Sequence, residues 1–229
     1  MKLLSRAAIL LCAACLLLLP LLTSCSKTDK IKIEVHLTYD AARGALVSEE
    51  DGLCYLFAPV SYEPAIVSHP YADWDDMVLY TVKGWDPRKL LTEEYSGIGG
   101  LLYAADSPLP SFADMNCTSI EVCAEDQYLN TVDDADVVAR AVSAMTTGET
   151  VALPTDGTSV YHLRFCSKDY AGIYYTVLFI TRGEGPDGSY YLYDRGTKRC
   201  VQVPYELFLD WIYDEESGTQ TETNTETSA

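Results

Sequence analysis

Between 159 and 203 the chain is a series of short apolar stretches punctuated by turn residues, and this spacing constrains its fold more than any other feature. Tyr161, Leu163 and Phe165 alternate with His162, Arg164 and Cys166, the period of two that gives a strand one buried face. Ile173 to Ile180 is apolar on both parities, as expected for a central strand covered on both sides. Lys168 to Gly172, Glu184 to Gly188 and Asp194 to Thr197 carry residue types that reverse a chain. Strands are therefore also expected at Tyr190 to Tyr193 and Cys200 to Val203, which makes a four-stranded antiparallel meander. In it Phe179 points inward, sharing a face with Ile173, Tyr175 and Val177.

Upstream, Ile31 to Leu37, Leu53 to Val60, Met77 to Val82, Gly99 to Tyr103 and Thr118 to Cys123 read as further strands. Three segments read as helices. Trp85-Asp86-Pro87 opens one that ends near Gly97, with Asp86 as cap and Pro87 in the first turn. Thr131 to Met145 is the clearest, because Val137, Val138, Ala141, Val142 and Met145 recur at helical spacing. Pro204 to Tyr213 is the last, burying Leu207, Phe208, Trp211 and Ile212. The order argues an α+β fold, a mostly antiparallel sheet with the C-terminal meander packed against two or three helices.

The first residues carry an address. Lys2 and Arg6 give a positive start, Ala7 to Leu22 is an apolar run broken by Pro20, and Leu22-Thr23-Ser24-Cys25 follows. Those last four residues resemble the lipobox of bacterial lipoproteins. The resemblance covers the leader alone and implies cleavage before Cys25, with lipid attached to its sulfur and new amino terminus. Two acyl chains on one residue suffice for stable anchoring, since each buried methylene contributes about 0.8 kcal/mol. The resulting organisation is a signal peptide at 1–24, the lipidated cysteine and spacer at 25–30, an extracytoplasmic domain at 31–214 and a disordered acidic tail at 215–229. The domain is compatible with two lobes, about 31–124 and 128–214. Ser26 stands where lipoproteins retained at the inner membrane of double-membrane cells carry an aspartate.

Removing Lys2 and Arg6 with the leader leaves 14 bases against 34 acids, a formal charge of −20. Such a surface argues against nucleic acid as a partner, because phosphate binding works through Lys and Arg. Five cysteines remain after Cys12, Cys15 and Cys25 are set aside, namely Cys54, Cys117, Cys123, Cys166 and Cys200. Their spacing fits neither zinc nor a CxxC motif, and buried thiols are expected. The three histidines form no metal-binding pattern, although His69 with Asp73, Asp75 or Asp76 is a weak candidate. No nucleophile elbow or phosphate-cradling loop is present, so no catalytic residue, metal or cofactor is assigned.

Tyrosine is the unusual feature, with 17 in the chain. Tyr174, Tyr191 and Tyr193 can share one face of the meander and offer a ligand-binding platform, while cross-strand aromatic pairs that merely stabilise the sheet are the plainer explanation. The expected function is a lipid-anchored, non-catalytic binding or interaction module on the extracytoplasmic face of the cell membrane, with an envelope protein or a glycan as partner. An envelope hydrolase with carboxylates assembled by the fold, or a structural subunit of a membrane complex, are the alternatives.

Overall fold

The chain is built mainly of strands, and the first of them close on themselves. The computed structural model describes residues 32–93, 100–124, 127–156 and 159–212. The expectations for the leader, Cys25 and the tail fall outside these residues. Seven strands form a closed barrel: β1 (Val35–Asp40), β2 (Ala45–Ser48), β3 (Leu53–Phe57), β5 (Val67–Trp74), β6 (Met77–Val82), β7 (Leu90–Glu93) and β8 (Leu101–Ala104). Neighbours pair antiparallel except at the closure, where β1 runs parallel to β5 with Val35 opposite Ala72 and Leu37 opposite Trp74. Closure leaves these strands without a free edge. Val35, Leu37, Leu46, Tyr55, Leu79, Leu91 and Leu102 fill the lumen.

The second sheet has the order β10 (Gln127–Val132), β9 (Cys117–Ala124), β11 (Ser159–Ser167), β12 (Ile173–Arg182), β13 (Ser189–Tyr193) and β14 (Cys200–Val203). The short strand β4 (Tyr62–Pro64) lies between β3 and β5 in sequence, yet it pairs with β12 through Tyr62 opposite Tyr175 and Glu63 opposite Tyr174. The barrel chain thus contributes a strand to the other sheet. Two helices, α1 (Ala135–Thr147) and α2 (Tyr205–Ile212), complete the regular elements among the described residues. Val137, Val138, Ala141, Met145 and Leu207 join the inner sheet residues Ile120, Leu163, Phe165, Val177 and Phe179 in one core. The barrel's outer surface reaches the same core through Val82, Leu90 and Leu101.

This architecture overturns the expected α+β fold with two or three helices: the described chain is mostly β, with a closed barrel and only two short helices. The helix expected from Asp86 onward is the main error. Its start signal forms, because Asp86 Oδ1 accepts from Arg88 N at 2.9 Å and Asp86 O accepts from Lys89 N at 2.8 Å. After that single turn the chain enters β7. Leu90 is buried in the shared core and Leu91 in the lumen. Burial on two opposite faces suits a strand between two cores, and each fully buried leucine is worth about 1.5–3 kcal/mol. Tertiary packing outweighs the local cap.

The other helices differ in detail. Thr131 and Val132 belong to β10, and Asp134 caps α1 by accepting from Asp136 N at 2.9 Å and Val137 N at 3.1 Å. In α2, Leu207 is buried as expected; the side chains of Phe208, Trp211 and Ile212 lie outside the described residues. The strand β5 had no sequence expectation because Pro70 and His69 interrupt it. Its pairing with β6 shifts register on both sides of Pro70, so the proline sits at an irregularity where no ladder donor is needed.

Candidate functional site

The register of the second sheet decides which side chains leave the core. On β12, Ile173, Tyr175, Val177 and Phe179 face inward and are buried, as the alternation required. Tyr174, Thr176, Leu178 and Ile180 face the opposite way. Across the ladder they meet Cys166, Arg164, His162 and Val160 of β11. On the other side Tyr193 lies opposite Leu178, and Tyr191 opposite Ile180.

The three candidate tyrosines therefore share the outward face, and all three are half-buried. They do not form one strip. Tyr191 and Tyr193 are neighbours two residues apart on β13, whereas Tyr174 lies four residues along β12 from the partner of Tyr193, about 13 Å away. Tyr174 is also engaged: its hydroxyl donates to Glu121 Oε1 at 3.3 Å, and the Arg164 guanidinium lies 5.6 Å from its ring centroid. Burial, with the Glu121 charge, pushes the Tyr174 hydroxyl up to about 12.

Between these tyrosines lies a buried ionic cluster that sequence reading did not anticipate. Glu63 of β4 is only 2% exposed. Arg164 Nε reaches its Oε2 and Arg195 Nη2 its Oε1, both at 3.3 Å. Burial still outweighs the two guanidinium groups and raises the Glu63 carboxyl above its ordinary range. Close by, Asp194 accepts from Tyr175 Oη at 2.5 Å, Thr197 Oγ1 at 2.6 Å, Gly196 N at 2.8 Å and the Ser61 hydroxyl. Burial works to raise the Asp194 carboxyl, but the hydrogen bonds from Ser61, Thr197, Tyr175 and Gly196 prevail and hold it below its usual range. These two carboxylates bind β4 and its flanking loop to the sheet. Both are enclosed and fully engaged, which suits a structural clamp better than proton exchange with a substrate.

Two of the thiols are poor nucleophiles for a related reason. Burial pushes Cys117 and Cys166 up to about 11, so both stay protonated at neutral pH. Among the described residues no group of three or more His, Cys, Asp or Glu side chains could hold a metal ion. Asp73 instead pairs with His36 at 2.6 Å, and His69 lies 3.4 Å from the Thr81 hydroxyl. A groove of about 470 Å³ runs between α1 and the 3₁₀ turn Phe112–Asp114, lined largely by small side chains such as Ala113, Ala135, Ala139 and Ser143.

A second surface lies at one mouth of the barrel. Tyr39 ends the inward-facing series Val35, Leu37, Tyr39 of β1, and Phe57 ends the series Leu53, Tyr55, Phe57 of β3. Both rings stand beside Trp74 of β5, with centroids 6.2 Å and 6.0 Å from it. Trp74 packs on the lumen core, yet Tyr39 is 53% and Phe57 42% exposed, and Met77 beside them is 37% exposed. The period of two that marks β1 places Tyr39 on the lumen parity. Only barrel closure, which pairs β1 with β5, brings Trp74 to it.

Among the described residues no helix is long and apolar enough to cross a membrane. Comparisons of the chain with protein-family models, with curated proteins and with solved structures gave no match.

Proposed function

We propose that this protein is a lipoprotein tethered through Cys25 to the extracytoplasmic face of a cell membrane, and that its β domain is a non-catalytic binding or interaction module there. The lipobox-like Leu22-Thr23-Ser24-Cys25 supports the anchor. The observation that carries the binding role is the aromatic cluster at the barrel mouth, where rings sit in water although the lumen beneath is filled. Exposed contiguous apolar surface of this kind marks interaction sites. The hydrolase alternative draws no support from the two enclosed acids, Glu63 and Asp194, which are both tied up in the fold.

Two experiments test the proposal. Cys25→Ser should leave the precursor unprocessed or release the protein from membranes; unchanged size and membrane association would refute the anchor. Photo-crosslinkers placed at Tyr39 and at Tyr191 should capture envelope partners in intact cells. Absence of any adduct from either position would refute the binding module.

A further inference from the structure

The barrel mouth combines two kinds of surface that together specify a ligand. The first is the aromatic cluster of Tyr39, Phe57 and Trp74. The faces of aromatic rings carry negative potential and attract cations within about 6 Å. The second is the charge around them. Asp75 and Asp76 form the turn that joins Trp74 to Met77, and Glu93 lies opposite Leu79 at the same end of β7. None of these three carboxylates has an ion-pair partner among the described residues. Arg43, in the turn after β1, is already held by Asp40 at 3.3 Å and Glu49 at 3.5 Å.

We infer that this mouth binds a basic, extended segment of a partner protein, seating a Lys or Arg side chain against the rings of Tyr39, Phe57 and Trp74 while Asp75, Asp76 and Glu93 meet its charge. The inference rests on the binding-module reading above and names its occupant. A neutral glycan would stack on the rings but gain nothing from three uncompensated acids. An anionic lipid surface would be repelled by them and by a chain of formal charge −18. The same charge would steer a basic partner toward the mouth and raise its association rate.

The test uses the full mature chain in detergent. The probes are a dye-labelled, end-capped peptide of alternating lysine and glycine, the same peptide with glutamate for lysine, and a neutral chitin tetrasaccharide as competitor. Fluorescence anisotropy reports binding, and circular dichroism confirms folding of each variant. The lysine peptide should bind wild type with an affinity that falls as salt rises, and the glutamate peptide should not. Tyr39→Ala and Phe57→Ala should each weaken it about two- to fivefold. Asp75→Asn with Asp76→Asn should weaken it and flatten the salt dependence. Ile66→Ala, an exposed apolar change away from the mouth, should leave it unaltered. Lack of binding by the lysine peptide, or equal binding by a folded Tyr39→Ala/Phe57→Ala protein, would overturn the inference. Full displacement by the tetrasaccharide with no salt dependence would overturn the cationic occupant. Crosslinks from Tyr191 that persist in those cases would leave the binding module standing on its other surface, whereas loss of all crosslinks would remove both.

Discussion

Asp194→Ala probes the clamp that fixes β4 to the sheet. The carboxylate is 2% exposed and is the acceptor for the Ser61 and Tyr175 hydroxyls, both of them buried, and for the part-buried Thr197 hydroxyl. Removing it strands two buried donors. Each stranded group costs about 1–3 kcal/mol, so the expected loss is about 2–6 kcal/mol. That is a large share of the roughly 5–15 kcal/mol that holds a domain folded. Urea unfolding followed by tryptophan fluorescence measures it; with a slope of about 1–3 kcal/mol per molar, the midpoint should fall by at least about 0.7 M. Protonation supplies an independent signature. The folded carboxyl titrates below its unfolded value of about 3.9. Its stabilisation is therefore complete above that value and is lost as pH falls through the lower, folded one. The gap between wild type and Asp194→Ala should be constant from pH 7 to about 5 and narrow as pH falls below about 4. A loss under about 1 kcal/mol, or a gap that does not narrow in acid, would refute the clamp.

Three further outcomes follow from the packing. Phe179 is fully buried between the Tyr161 and Tyr190 rings, at 6.2 Å and 6.1 Å, so Phe179→Ala should cost about 3–5 kcal/mol in urea unfolding. Gly172, with φ of 101°, turns the chain between β11 and β12, and a Cβ there would lie 2.5 Å from Lys83 O. Gly172→Ala should therefore cost at least about 2 kcal/mol, read as a lower thermal midpoint. Tyr191 is half-buried on the outward face between Ile180 and Gln202, so Tyr191→Ala should cost only about 1 kcal/mol and leave the circular dichroism spectrum unchanged.

Some of this protein is local and was written plainly. The strands from 159 to 203 were legible because each pairs with its neighbour across a short turn, so alternation and turn residues suffice. Val137, Val138, Ala141 and Met145 marked the buried face of α1 through their spacing alone. The inward direction of Phe179 followed from the same kind of parity. The outward parity of Tyr174, Tyr191 and Tyr193 was legible too, but their separation was not, since it depends on where β13 docks along β12.

The barrel and the clusters on it were decided by contacts between residues far apart in the chain. Leu90 and Leu91 follow a sound helix start, and only the meeting of two cores makes them a strand. Tyr62-Glu63-Pro64 is too short to announce itself, and it becomes β4 because β12 offers an open stretch of edge beyond β13. Glu63 and Asp194 read as two acids among 34; pairing brings Arg164, Arg195, Ser61 and Tyr175 to them. Tyr39, Phe57 and Trp74 are up to 35 residues apart in sequence and meet because β1 closes the barrel against β5. Sequence alone determined which segments are apolar, where the chain turns and what charge it carries. The tertiary structure decided which faces meet, because pairing and closure are settled by burial summed over the whole chain and not by any one segment.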